Sequence, residues 1–349
     1  MIGIVMFFVG MCMLLLGFPV AFTFGAVSVF FGIFAGVFEA LGDGGTLVEG
    51  IQAGINLFAF MPHRIWSIMN NTILISVPMF VLMGIILQKS RLAERLLEAM
   101  GFLFGEVRGG LAISTVLVGA LLAASTGVVG ASVIAMGVIS LPVMLKYHYS
   151  KSLACGTICA AGTLGQIIPP SVVLIVLGDV FQLPVGDLFE GAFWPGLTLV
   201  AAYVIYIAVI AYIKKDMAPA IPREEMTETK LQQIMGALKA IIPPLILIIL
   251  VLGSIFEGIA TPTESSAIGC VGAAILAYMY KSFSFRMIYD AAMETVSTTA
   301  MVSAILIGAT AFSMVFTYTG GDIIVEEIMR SLPGDKWGFI LASMFAIFA

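Results

Sequence analysis

The sequence predicts an all-α membrane protein built as an inverted repeat, with re-entrant hairpins and broken helices, and three observations carry that expectation. Hydrophobic residues fill 60% of the 349 positions and charged residues only 11%, more apolar surface than a soluble chain of this size hides behind a polar exterior. The apolar residues come in blocks long enough to cross a bilayer, among them 1–20, 197–213 and 241–256. The order of elements in the first half also recurs in the second. Alternating ten-residue segments, the mark of a transmembrane barrel, are absent, so helices must satisfy the backbone in lipid.

In chain order, helices are expected at 2–18 and 20–38. Segment 1–20 has neither a basic leader nor a small-residue cleavage site and reads as a retained first helix. A polar, acidic stretch (Glu39, Asp43, Glu49) and an amphipathic piece near 47–66 lead to a span at 70–88 and an amphipathic arm helix at 91–104. Two apolar arms, 109–124 and 133–145, flank an irregular tip, 125–132. A broken span covers 151–183, interrupted at 162–171, and a helix at 190–213 ends in a polar linker, 214–239. Spans at 240–256, 262–280 and 297–318 follow, with amphipathic stretches at 283–295 and 322–332, and a new apolar segment starts at 337.

Orientation follows from the basic residues. With the N-terminus outside, Lys89, Arg91, Arg95, Arg108, Lys146, Lys151, Lys214, Lys215, Arg223, Lys230, Lys239, Lys281 and Arg286 fall inside, 13 of 16; only Arg64, Arg330 and Lys336 fall outside. Both feet of the 109–145 segment are then cytoplasmic. Its arms, at about 20–24 Å of helix, fall short of the roughly 30 Å hydrocarbon core. They read as a re-entrant hairpin, with two short tilted spans as the alternative.

The repeat appears in Gly17-Phe18-Pro19-Val20-Ala21 and Ala260-Thr261-Pro262-Thr263-Glu264, each placing a proline in the first turn of a helix. An amphipathic stretch, a span, an amphipathic charged helix and an apolar arm then follow both. Because the copies start on opposite sides, the topology is inverted. The first repeat is 1–213: scaffold helices 1–88, arm helix 91–104, hairpin 109–145, broken helix 151–183 and helix 190–213. The linker 214–239 is cytoplasmic, and 240–349 is a second repeat cut short by roughly 80–95 residues relative to a complete pair. Lacking the second hairpin and broken span, the chain by itself is expected not to transport.

The two interruptions are the candidate site, because irregular backbone at membrane depth is tolerated only where it is buried or lines a cavity. Freed carbonyls and the hydroxyls of Ser125, Thr126, Ser132, Thr163 and Ser171, together with Gly127, Gly162 and Gly165, offer hard oxygen ligands suited to Na⁺. Nearby half-helix N-termini favour an anionic substrate near Gly130, Pro169, Pro170 and Ser171. A packing kink is the alternative reading.

Ser125-Thr126-Gly127-Val128-Val129-Gly130-Ala131-Ser132, Leu141-Pro142 and Ala161-Gly162-Thr163-Leu164-Gly165-Gln166-Ile167-Ile168-Pro169-Pro170-Ser171 resemble the large permease subunit of tripartite ATP-independent periplasmic (TRAP) transporters. Thr261-Pro262-Thr263-Glu264 and Val77-Pro78-Met79-Phe80-Val81-Leu82-Met83-Gly84 fit the same family, over essentially the whole chain. The resemblance implies an elevator-type, Na⁺-driven carrier in the bacterial inner membrane. It also implies a small four-helix membrane subunit and a periplasmic binding protein that delivers an organic acid. The family's first sodium site maps onto Ser125, Thr126, Gly127, Ser132, Gly162, Thr163 and Gly165. A stand-alone Na⁺/anion symporter and a non-transporting scaffold remain as alternatives. No nucleic-acid partner is expected.

The remaining candidates are weaker. Cys12, Cys155, Cys159 and Cys270 lie in apolar segments without histidine and read as small packing residues. His63 and His148 read as interfacial. No metalloprotease or phosphate-loop motif occurs, and an enzyme is not expected. Glu264 reads first as a helix-start residue and second as a gating acid.

Overall fold

The computed structural model describes residues 2–90, 92–126, 129–222, 230–331 and 335–348, and every regular element among them is helical. The first half comprises α1 (Ile2–Leu15), α2 (Val20–Gly42), α3 (Leu47–Leu57), α4 (Met61–Met69), α5 (Ser76–Lys89), α6 (Leu92–Phe104), α7 (Gly110–Thr126) and α8 (Val129–Lys146). Then come α9 (Lys151–Thr163), α10 (Val172–Phe181), α11 (Val185–Ile213), α12 (Lys230–Phe256), α13 (Pro262–Met279), α14 (Phe285–Tyr318), α15 (Gly321–Ser331) and α16 (Asp335–Phe348). Helices α2, α11, α12 and α14 are long and apolar enough to cross a membrane, and their outward faces carry exposed Phe22, Phe30, Ile205, Ile249 and Met301. The chain is membrane-embedded.

Two compact units share the chain: residues 1–70 with 300–349, and residues 71–299. Each draws on both halves of the sequence. In the first unit α2 and α3 meet backbone to backbone. A Cβ on Gly36 would lie 2.5 Å from Gly54 N and 2.6 Å from Gly50 O, so only hydrogen fits there. Thr46 and Glu49 form a capping box that starts α3. Met6, Val27, Phe31 and Val315 make a small buried core.

In the second unit α5 packs along α13. The Cys270 thiol donates to Met79 O at 3.0 Å, the small packing role expected of it, and Thr263 Oγ1 donates to Thr72 O at 2.9 Å. Glu264 is occupied as a cap: its Oε2 accepts from the backbone N and the hydroxyl of Thr261, each at 2.8 Å. That geometry is the structural role, completed by the Thr261 hydroxyl accepting from Glu264 N.

Several boundaries differ from expectation, each for a local reason. Helix α5 begins at Ser76 rather than 70 because Asn71 Oδ1 takes the Ile73 N–H at 2.9 Å and holds a turn. The stretches 283–295 and 297–318 are one helix of 34 residues. No glycine or proline separates them, and the Thr295 hydroxyl bonds back to Ala291 O at 2.8 Å without breaking the helix. Helix α11 starts at Val185, behind Pro184, not at 190. Helix α12 already runs from Lys230, so the expected linker is helical over its last third.

The α2–α3 contact gives a direct test. Gly36→Ala should lower the melting temperature in detergent, equivalent to a loss on the order of 1–3 kcal/mol. Gly25→Ala, on the same helix but facing open space, should leave it unchanged.

Candidate functional site

The candidate site is positioned from its foot. Gly109 takes φ +79, readily available to glycine, and its N–H donates to Ala218 O at 3.0 Å. Ile221 N donates to Gly105 O at 2.8 Å and Ser150 N to Met217 O at 3.0 Å. Residues 217–221 thus form a strap across the end of α6, the start of α7 and the start of α9. Tyr149 is buried beside them. Its hydroxyl faces the backbone N–H groups of Gly109, Leu111 and Ala112 at the head of α7, and burial pushes the phenol up to about 12.

Helix α11 serves as a ruler from that foot. It has 29 residues, about 43 Å at 1.5 Å per residue. A Cβ on Gly109 would sit 3.0 Å from Ala211 Cβ near one end, and one on Gly196 would sit 3.1 Å from Ile168 further along. From Ala211 to Gly196 is about 22 Å, and from Gly196 to Val185 about 16 Å. The break between α9 and α10 therefore lies level with the middle of α11. The hairpin stops there too: α7 has 17 residues and α8 has 18, about 25–27 Å, a turn longer than expected but far short of α11. A Cβ on Gly162 would lie 2.3 Å from Val133 Cγ2 and 3.0 Å from Val133 Cα, so the end of α9 touches the first turn of α8.

The break is narrower than the sequence suggests. Helix α9 runs to Thr163 and a 3₁₀ turn covers Leu164–Gln166, leaving 167–171 non-helical, with a cis peptide between Pro169 and Pro170. Glycine in a helix costs only about 1 kcal/mol relative to alanine, so Gly162 need not end α9; its smallness admits Val133. Likewise α8 begins at Val129, so Gly130 and Ser132 belong to its first turn rather than to an irregular tip.

The expected site residues fall as follows. Ser132 and Gly162 line one cavity of ≈ 10 Å³ with Gly119 and Gln88, room for about one water-sized particle. Gly165, Pro169, Pro170 and Ser171 are buried within the break. The Ser171 hydroxyl donates to Gln166 O at 2.8 Å and caps α10 by accepting from Leu174 N at 3.5 Å. Thr163 is exposed, its hydroxyl donating to Ala160 O at 2.8 Å; Gly130 is exposed with open space around it. Gly127 and the side chains of Ser125 and Thr126 lie outside the described residues. Gln88 is the residue missed, and its signal was a lone amide closing the apolar run of α5.

The 3₁₀ turn at Leu164–Gln166 lies against α7, α8, α9 and α10. The C-terminus of α7 and the α9–3₁₀ end present carbonyls and partial negative charge, while the N-termini of α8 and α10 present N–H groups and partial positive charge. A small cation and an anion can therefore sit side by side without a charged residue. Among the described residues no group of three or more His, Cys, Asp or Glu could hold a metal.

The family model described as the tripartite ATP-independent periplasmic transporter, DctM component, matches residues 4–349. The chain is 30% identical over 300 residues to the C4-dicarboxylate TRAP transporter large permease DctM of Pseudomonas aeruginosa, covering 84% of this chain and 69% of that protein. It is 29% identical over 339 residues to the ectoine TRAP transporter large permease TeaC of Halomonas elongata, covering 96% and 74%. It is 29% identical over 325 residues to the isethionate TRAP transporter permease DctMQ of Oleidesulfovibrio alaskensis, covering 93% of this chain and 50% of that protein.

The Gly162–Val133 contact should behave as a steric lock. Gly162→Ala should destabilise the protein by about 1–3 kcal/mol in a detergent melt. Adding Val133→Ala, which removes the clashing methyl groups, should recover a measurable part of that loss.

Proposed function

Because the chain belongs to the DctM family of tripartite ATP-independent periplasmic transporters, a family of permeases and not of enzymes, we propose that it moves an organic acid across the bacterial inner membrane on a Na⁺ gradient. The observation that carries this reading is the 3₁₀ turn at Leu164–Gln166, against which α7, α8, α9 and α10 all lie, beside a cavity of ≈ 10 Å³. Na⁺ sits at the carbonyl ends of α7 and α9, near Ser132 and Gly162, with Ser125, Thr126, Gly127, Thr163 and Gly165 completing the oxygen-rich neighbourhood. The acid group of the substrate sits at the N-termini of α8 and α10, near Gly130, Pro169, Pro170 and Ser171. Coupling follows from adjacency: the cation offsets the carbonyl ends and the anion offsets the N–H ends, so each ligand lowers the cost of binding the other.

The short hairpin supports the re-entrant reading, and the inverted repeat supports an elevator mechanism in which hairpin and broken helix move as one body. The partners are a small four-helix membrane subunit and a periplasmic binding protein that hands over the substrate. Relatives named for C4-dicarboxylates, ectoine and isethionate support a small acidic solute as the cargo. The basic-residue bias supports a periplasmic N-terminus.

Uptake of a labelled C4-dicarboxylate into proteoliposomes holding the permease with a complete second repeat and both partners should require a Na⁺ gradient. Ser132→Ala, by removing one oxygen from the ion's surroundings, should raise the half-saturating Na⁺ concentration by about tenfold. Uptake indifferent to Na⁺ would refute the coupling. For topology, Val107→Cys and His148→Cys should react with a membrane-impermeant maleimide only when the cytoplasmic face is exposed; labelling from the periplasm would reverse the orientation.

A further inference from the structure

We propose that the cleft between α6, α12 and the end of α13 binds the phosphoethanolamine headgroup of a membrane phospholipid. The cleft has a volume of ≈ 320 Å³ and is lined by Arg95, Glu98, Phe102, Lys239 and Tyr280, all within the second compact unit. Arg95 is held in place: its Nη2 donates to Tyr280 O at 3.3 Å, and the guanidinium lies 5.1 Å over the Tyr280 ring. One bond uses one of five donors, which leaves a fixed fork able to take phosphate oxygens. Lys239 lines the same cleft with no ion pair among the described residues. The Tyr280 hydroxyl is buried with no hydrogen-bond partner among the described residues.

The fourth polar group decides which phosphate fits. Glu98 also lines the cleft and makes no ion pair among the described residues. Two cations match a phosphodiester, and one carboxylate matches a primary ammonium within a few ångströms of it. A glycerol headgroup leaves Glu98 unanswered, and a choline headgroup has no N–H to give it. Location selects a lipid over a soluble phosphate: Lys239 stands where the polar start of α12 (Lys230, Gln232, Gln233) gives way to its continuous apolar run, the depth of phospholipid headgroups.

The permease, stripped of lipid in detergent, should be titrated with phosphatidylethanolamine, phosphatidylglycerol, phosphatidylcholine, free phosphoethanolamine and inorganic phosphate. Binding is read by native mass spectrometry and by melting temperature. Phosphatidylethanolamine should bind about tenfold tighter than the other two lipids and stabilise most. Lys239→Gln should abolish that preference. Glu98→Gln should transfer it to phosphatidylglycerol, a gain of binding that a misfolded variant does not show. Equal binding of all three lipids, an unchanged preference in both variants, or stabilisation by inorganic phosphate equal to that by lipid would each overturn the proposal.

Discussion

A peptide group released from its helix in the middle of a bilayer has no water to turn to, and this requirement governs the second unit. The sequence Ile167-Ile168-Pro169-Pro170-Ser171 cannot continue α9, because two prolines remove two donors. Its cost is contained by local repair. The 3₁₀ turn at Leu164–Gln166 carries the last α9 carbonyls, and the Ser171 hydroxyl both satisfies Gln166 O and opens α10. Burial against α11 through Ile168 and Gly196 keeps lipid away. What is left over, the carbonyl ends on one side and the N–H ends on the other, is what a cation and an anion can use.

The rest of the unit brings the hairpin to that break at the right depth. Gly119 lies against Ala161, its Cβ position 2.7 Å from the Ala161 methyl, and Gly162 lies against Val133. These two contacts bring both arms within reach of α9 at the level where it ends. With anything larger at either point the arms would stand off and the cavity at Ser132 would open to its surroundings. Packing by small residues is the usual means of close approach in membranes, where hydrophobicity itself provides little attraction between helices.

Helical class and most elements were legible because lipid makes the apolar run itself the signal. The second set of apolar blocks, the broken span and the helix start at Pro262 and Glu264 were readable from composition and from proline and acid positions. The extent of irregularity was not. Glycine-rich stretches such as 125–132 and 162–166 look like loops by composition, yet helical backbone persists into them because glycine inside a packed helix costs little compared with the contact it permits. The single helix at Phe285–Tyr318 was hidden for the opposite reason: a change in polarity near 296 looks like a boundary, but polarity does not end a helix without a breaker. Gln88 was overlooked because its partners in space, Ser132 and Gly162, lie far away in sequence.

The strap at 217–221 has a mechanical consequence. It binds the head of α7 through Gly109, the approach to it through Gly105, and the head of α9 through Ser150, while the tail of α11 leads directly into it. Four helices are thus lashed together at one end like stems in a sheaf. Such a sheaf has two ways to move: the lashed foot travels and takes every stem with it, or the free heads part while the foot stays shut. One short run of backbone therefore fixes the spacing of these helices at one end and leaves it unfixed at the other.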